Sequence, residues 1–382
     1  MRQKKKICFL LSKFAKGGGE RVVSILSDEL LEYYDVDVLL LQSKSVEDYK
    51  TRAEVIVINN KQYSNSFMLL FHSLIGLKKY IRKNKPKVII SFMELPNLVN
   101  LLVKGDFKQI ISVRNHMSAK WGKEKNIWNW SIRHLYKKAD IIVSPTELIA
   151  SDLHQVYGIE EEHIKLINNP YKIEKISRNI GNKDSSVYTI TTMGSLVKAK
   201  GVFNLLHAYI IFCNAHPEIP SKLVFIGKGS EEDNLKKIAM EAGVSDRVLF
   251  KGFLSNPHEE LAKSDLYVLA SFYEGFPNAL VEAMICKVPV IATDCPSGPG
   301  EILSKVKLDN IQYITKGDYG YLMPVFDGKI ELKENELAKF FYDFYMMPDV
   351  EKKQMIERAT LKTQEFEASK VAKEWKELME GM

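Results

Sequence analysis

Two carboxylates, Glu274 and Glu282, stand eight positions apart in the stretch SFYEGFPNALVEAMICKVPVIATD. A pair at this spacing belongs either to a reaction site or to a charged loop beside a buried helix. The strand-like DLYVLAS ends at Ser271, which places Glu274 in the loop at that strand's carboxyl end. Pro277 suits the first helical position, having a fixed φ and no amide to waste, so a helix is expected from about Asn278. The amides around Asn278 to Leu280 would then point at an anion. Glu282 falls one turn inside, about 6 Å along the axis, where a carboxylate can accept two hydroxyl hydrogen bonds from a ribose. In the plainer alternative Glu282 is a favourable first-turn charge and Glu274 is solvated.

Two further stretches carry chemistry. In TTMGSLVKAKG a strand, a glycine and then Lys198 and Lys200 precede another glycine and a helix. Ammonium groups there would meet a departing diphosphate, each close pair being worth about 4 kcal/mol at an effective dielectric near 20; two solvated lysines are the alternative. In SKFAKGGGERVV the glycines around Gly18 follow the strand ICFLL and precede a helix expected from Glu20 or Arg21, which suits close approach of a phosphate. The spacing is not GxGxxG, and a simple tight turn fits as well.

The elements that must position these residues alternate between strand and helix twice. KICFLL, DVDVLLL, VIVIN, KVIISF, QIISV and DIIVSP read as strands buried on both faces. After the turn-rich NNPYKIEKISRNIGNKDSSV the scheme restarts with YTITTMGS, KLVFIG, RVLFKGF, DLYVLAS and VPVIATD. The fold class is therefore α/β, with two doubly wound domains joined near residues 170–186. The expected boundaries are 1–172 and 186–364, with a last helix in 365–382 free to pack on either domain. Open parallel sheets bind ligands at the carboxyl ends of their strands, so a cleft between two such domains is the expected site.

Composition narrows the class. The 382 residues are 46% hydrophobic and 27% charged, as in a globular enzyme. ICFLL is too short for a signal peptide's core of roughly 7 to 15 residues, and no window reaches the roughly 18 apolar residues of a spanning helix. Cys8, Cys213, Cys286 and Cys295 lack the spacing of a zinc site or a disulfide framework, and a reducing cytoplasm is the expected home. Residues 1–172 hold 28 Lys and Arg against 18 Asp and Glu, whereas residues 173–382 hold 26 against 30. Between Gly76 and Lys138 fifteen basic residues face three acids, Glu94, Asp106 and Glu124. Such a face attracts the phosphates of nucleic acid, anionic lipid or a diphosphate substrate.

Taken together, FYEGFPNALVEAMICKVPVIATD, GGGERVV, GSLVKAKG, FIGKGSEEDNLKKIA, RVLFKGFLSN and DCPSGPGEIL occur in an order that resembles the retaining glycosyltransferases of the family 4 type, which have the GT-B fold. The resemblance covers most of the chain. It implies that Glu274 contacts the transferred sugar, that Glu282 contacts the donor ribose, and that the backbone at Gly275, Phe276 and Asn278 faces sugar and diphosphate. Lys200 matches the family lysine that offsets diphosphate charge. Many relatives have arginine directly after the glycine, where this chain has Ser195; the two-cation clamp is then weakened, or Lys198 replaces it. IISVRNHMS resembles the loop that presents a polar or histidine residue near the reacting carbon, so His116 is the candidate there, with Arg114 and Asn115 orienting it or holding an acceptor phosphate.

The resemblance further implies a nucleotide-sugar donor, expected to be a UDP-sugar, and a metal-free reaction in which a diphosphate oxygen helps take the acceptor proton. Asp35 and Asp37 fit the metal-binding DxD pattern of another transferase fold, but they begin the strand DVDVLLL, away from the carboxyl-end loops. SFMLLFHSLIGLKKYIRKNKPK joins an apolar helix to a basic end, and Trp121, Trp128 and Trp130 stand among Lys120, Lys123, Lys125 and Arg133. Tryptophan beside lysine suits an anionic membrane surface; a buried helix with a solvated end is the alternative. This half and SGPGEIL resemble members acting on polyprenyl-diphosphate-linked glycans. The expectation is a cytoplasmic enzyme lying on the inner face of the cell membrane and building a surface glycan such as O-antigen or capsule. A nucleotide-sugar epimerase of the same fold is the rival, and a nucleic-acid-binding module is a weaker one with no recognisable motif.

Overall fold

The computed structural model describes residues 4–15, 17–42, 49–59, 61–122, 126–178, 186–306, 308, 311–326 and 332–382. The chain divides into two compact units, Met1–Lys172 with Phe366–Met382, and Ile173–Glu365.

In the first unit the strands are β1 (Lys6–Leu11), β2 (Asp35–Leu40), β3 (Glu54–Val57), β4 (Val88–Phe92), β5 (Lys108–Ser112), β6 (Ile141–Ser144) and β7 (Ile164–Leu166). They form a parallel sheet in the order β3-β2-β1-β4-β5-β6-β7. In the second unit they are β8 (Tyr188–Met193), β9 (Ser221–Ile226), β10 (Val248–Gly252), β11 (Leu266–Leu269), β12 (Val290–Thr293), β13 (Thr315–Lys316) and β14 (Tyr321–Met323), in the order β10-β9-β8-β11-β12-β14-β13. Only β13 runs antiparallel, at the edge. The edge strands β7 and β13, and β14 beside β13, are too short and too lightly patterned to be read from sequence. Both sheets reverse their winding beside the first strand, between β1 and β4 in one unit and between β8 and β11 in the other. Loops diverge there and leave room for a ligand.

Four helices of the first unit bear on function: α1 (Gly18–Leu30), α2 (Ser66–Asn84), α3 (Glu94–Leu102) and α4 (Met117–Trp121). The helix α1 begins at Gly18 rather than at Glu20 or Arg21, so Gly18 and Gly19 belong to its first turn. The final helix, Ala368–Glu380, closes the first unit: Val371, Ala372 and Trp375 join the core of Phe9, Val38 and Phe92, and the Trp375 ring stacks on Phe92 at 6.1 Å. A bridge between Tyr171 and Glu367 ties the returning segment down.

The DxD carboxylates lie at the amino end of β2. Lys6 Nζ is 3.0 Å from Asp35 and 3.1 Å from Asp37, and the buried Asp37 also accepts from the Tyr80 hydroxyl. They are structural, and they sit at the edge opposite the loops that follow β1 and β4.

Candidate active site

In the second unit the site is built from the two strands at the switch point. After β8 the chain passes Gly194 and Ser195 into a short 3-10 turn, Lys198–Lys200. After β11 it passes Ser271 to Glu274. Lys200 Nζ donates to both carboxylate oxygens of Glu274 at 2.7 Å, and Ser271 Oγ donates to Oε1 at 2.6 Å. Glu274 is 8% exposed and Lys200 about a third, so the acid is gripped while the ammonium stays reachable. An ammonium has three N–H donors, so Lys200 keeps one after serving Glu274.

Two glycines make this geometry possible. Gly201 has φ +61°, and a Cβ on it would lie 1.9 Å from the Ala270 carbonyl oxygen; the backbone carrying Lys200 thus packs directly on the end of β11. Gly298 has φ +101°, and a Cβ there would lie 2.4 Å from Pro277 Cδ. The loop that contains Gly298 also holds the Glu274 loop, since Glu274 N–H donates to the Pro296 carbonyl at 3.1 Å and Ser297 Oγ to that of Gly275 at 2.6 Å.

The helix Asn278–Ile285 starts after Pro277, which precedes it instead of occupying its first position. Three amides were expected to face an anion, and the first turn closes two of them. Asn278 N–H donates to the Phe276 carbonyl at 2.8 Å and Leu280 N–H to that of Pro277 at 3.0 Å. Among the described residues only the Ala279 amide of the three stays open. Phe276 is buried, Gly275 is half-buried, and Ser195 and Lys198 are exposed.

Glu282 is buried in the same helix, and its Oε2 lies 3.0 Å from His258 Nε2. Sequence reasoning missed His258, because 24 residues and a strand separate the two and neither period nor motif links them. Burial, with Glu274 and then Glu282 nearby, pushes the Tyr267 phenol well up, and burial beside Glu274 pushes up the Cys295 thiol. The floor under both glutamates is thus neutral.

In the first unit the candidate residues gather at the carboxyl ends of β4 and β5. His116 caps α4: its Nδ1 accepts from the Ala119 amide at 3.4 Å and lies 3.3 Å from Ser118 Oγ and 3.6 Å from Asp152. A nitrogen that accepts carries no hydrogen, so the neutral ring's proton is on Nε2, which has no partner among the described residues. Neither Arg114 nor Asn115 orients this ring. Arg114 is buried, donates to Asn169 Oδ1 at 2.5 Å and lies over the Phe92 ring, while its Nε and Nη2 find no acceptor among the described residues. Burial pushes its guanidinium down to about 9, still charged at neutral pH. Asn115 reaches Glu94 Oε1 at 3.3 Å, where Lys120 also donates at 2.6 Å. Glu94 had been counted only as an acid; its place directly after a strand was the available signal. Met93 before it holds φ +76° and ψ 167°, a conformation that costs a non-glycine residue roughly 1–3 kcal/mol. Met93 is also the neighbour of Gly19 at the β1 end.

The tryptophans divide. Trp121 and Trp128 stack on each other at 5.7 Å and are half-buried, so of the three only Trp130 presents an exposed ring. Lys123 and Lys125 lie outside the described residues. Glu160, Glu162 and His163 bring ligand atoms within 4.8 Å of one another, but they precede β7, at the amino end of that strand, whereas His116, Arg114 and Asn115 follow the carboxyl end of β5.

Two Rossmann-like units, each with its polar groups at the sheet's switch point, are the architecture of the GT-B fold. Residues 16–175 match the model of Glycosyltransferase Family 4 and residues 173–316 that of Glycosyl transferases group 1. The chain belongs to the family 4 type of glycosyltransferases. An uncharacterised glycosyltransferase of Methanocaldococcus jannaschii is 29% identical over 363 residues, spanning 86% of this chain and 88% of the relative. The N-acetylgalactosamine-N,N'-diacetylbacillosaminyl-diphospho-undecaprenol 4-alpha-N-acetylgalactosaminyltransferase of Campylobacter jejuni is 26% identical, spanning 82% of this chain and 88% of its own. Among solved structures, Anabaena HepE in complex with UDP and glucose has a TM-score of 0.76 at 18% identity, covering 99% of this chain and all of that one. Sucrose-phosphate synthase from Thermosynechococcus elongatus reaches 0.80 at 17% identity, covering 99% of each. At such identities the likeness to both structures is one of fold.

Proposed function

We propose that the protein transfers a hexosyl or N-acetylhexosaminyl group from a nucleotide-sugar, with UDP as the expected nucleotide, to a polyprenyl-diphosphate-linked oligosaccharide. Configuration is retained and no metal takes part. The observation that carries this reading is the buried Glu274, gripped by Lys200 and Ser271 at the switch point of the second sheet. In this reading Glu274 accepts hydroxyl hydrogen bonds from the transferred sugar. Lys200 turns its third N–H to the diphosphate as the bond to the sugar breaks, a close charge pair worth about 4 kcal/mol at an effective dielectric near 20. The Ala279 amide and Lys198 add to this where other members carry an arginine in place of Ser195. The Glu282 carboxylate takes the ribose hydroxyls.

The acceptor hydroxyl forms its bond on the face the diphosphate leaves, and its proton passes to the departing oxygen. His116, with Nε2–H open, donates to an oxygen beside the reacting carbon. The unpaired N–H groups of Arg114, with Asn115 nearby, suit a phosphate of the acceptor.

The lipid side of the reading is supported by the Campylobacter relative's undecaprenol acceptor and by α2. Leu69, Ser73, Leu77 and Tyr80 are its buried face, while Phe67, Phe71 and Ile75 are 75%, 55% and 52% exposed. The same outer stripe continues into Lys78, Lys79, Arg82 and Lys83. Apolar rings beside lysines match an anionic bilayer surface, and no helix among the described residues is long and apolar enough to cross one. In this reading the enzyme works on the cytoplasmic leaflet in surface-glycan assembly.

UDP- and GDP-sugars incubated with lipid-linked oligosaccharide acceptors, followed by mass spectrometry, test this directly. A mass gain of one hexose or N-acetylhexosamine on the acceptor is expected. An isomerised donor with no gain on any acceptor would replace the reading with an epimerase.

A further inference from the structure

His258 sits in the short helix Pro257–Leu261 and is fixed at two points. Its ring Nε2 is 3.0 Å from Glu282 Oε2, and its carbonyl oxygen accepts from Cys286 Sγ at 3.8 Å, one turn further along the helix that carries Glu282. The imidazole is 14% exposed and the carboxylate 5%, so water competes poorly for this contact. A carboxylate accepts hydrogen bonds and offers about four lone-pair directions. A bond from an imidazole N–H is therefore one of several such a group can accept, and it ties the Oε2 side of the carboxylate to a ring held by its own helix.

We propose that His258 is a positioning residue for the donor: it holds the Glu282 carboxylate in the orientation that receives the vicinal hydroxyls of the nucleotide's ribose. This rests on the reading of Glu282 as the ribose ligand. A glutamate side chain left to itself samples several rotamers, and freezing them on binding costs affinity; a partner already in place removes that cost before the nucleotide arrives. The role needs a hydrogen-bond donor of the right reach. Glutamine can supply one at this position, whereas leucine fills much of the same space and supplies none.

The test is calorimetric titration of the full chain with UDP and GDP, taking the tighter as probe, and with its 2′,3′-dideoxy analogue. For His258→Leu, roughly tenfold weaker binding of the probe is expected, with binding of the dideoxy analogue unchanged because it has no hydroxyls to present. His258→Gln should restore most of the affinity, and in turnover the leucine change should raise the donor KM while leaving kcat within about twofold. Equal losses for probe and analogue, or no loss for either, would overturn the proposal. Glu282→Ala separates the two levels: if it leaves probe affinity intact, the ribose reading itself fails, and if it weakens the probe while His258→Leu does not, only the positioning role fails. Should the leucine variant not fold, His258→Phe carries the same comparison. Binding of neither diphosphate to the unmodified chain overturns both.

Discussion

Gly201 lies so close to Ala270 that a Cβ on the glycine would stand 1.9 Å from the alanine's carbonyl oxygen. With φ at +61°, the position excludes side chains by conformation as well as by space. Gly201→Ala should therefore destabilise the second unit by roughly 1–3 kcal/mol. Because Lys200 is the preceding residue, donor turnover should fall along with the melting temperature. Thermal denaturation with a parallel transfer assay checks both, and an unchanged melting curve would mean that the strand end moves aside freely.

Removing either partner of the Lys200 and Glu274 pair should cost transfer more than stability. Lys200→Ala and Glu274→Ala are each expected to lower kcat by at least about a hundredfold. Lys200→Ala also leaves a buried carboxylate with fewer donors, at roughly 1–3 kcal/mol. Circular dichroism should show the fold retained in both, and near-normal turnover in either would remove the assignment of this site.

His116 does two things that asparagine and alanine separate. As the cap of α4 it is replaceable by asparagine, while alanine should lose about 1 kcal/mol. As a donor from Nε2 it is replaceable by neither. His116→Asn is thus expected to melt with the parent and yet lose transfer, and a fully active asparagine variant would reduce His116 to a cap.

For α2, serine in place of Lys78, Lys79, Arg82 and Lys83 should weaken binding to anionic vesicles by up to roughly a thousandfold, at about 1 kcal/mol per basic residue. Serine at Phe67, Phe71 and Ile75 should weaken binding to neutral vesicles as well. Flotation at low and high salt distinguishes the two sets, and unchanged flotation of both would detach this helix from the membrane.

Chelation should leave the reaction untouched. Transfer measured with excess EDTA is expected to equal that without it, since the proposed counter-charges are Lys200, Lys198 and the Ala279 amide; activity lost to EDTA and restored by manganese would contradict this.

What could be read from the sequence follows from how far apart the cooperating residues lie. Strands such as Val88–Phe92, broken only by Ser91, and Leu266–Leu269 are nearly continuous apolar runs, legible because both faces are buried. The place of Glu274 after β11 followed from the run alone. The amide ring of Asn278 to Leu280 did not, because a tight first turn engages two of those amides locally, and no composition encodes that closure. Nor could spacing show that Lys200, 74 residues from Glu274, reaches both of its oxygens, or that His258 stands against Glu282. The first pair is a product of the sheet order, which brings β8 beside β11; the second comes from the packing of the helix Pro257–Leu261 on the helix Asn278–Ile285. The strained backbone at Met93 is invisible for the same reason: methionine gives no hint that it occupies a conformation suited to glycine.

The chain leaves the first unit at Lys172 and re-enters it at Phe366. Trp375, which covers Phe92, is therefore synthesised only after the whole of the second unit. At translation rates of roughly 5–20 residues per second, the earlier part of the first unit waits on the order of ten to forty seconds with an apolar seam uncovered, while the second unit can fold at once. Of the two units, the one begun earlier is completed later. A nascent chain in this interval is a natural client for a chaperone, and a fragment ending at Lys172 would carry the same exposed seam permanently and should aggregate.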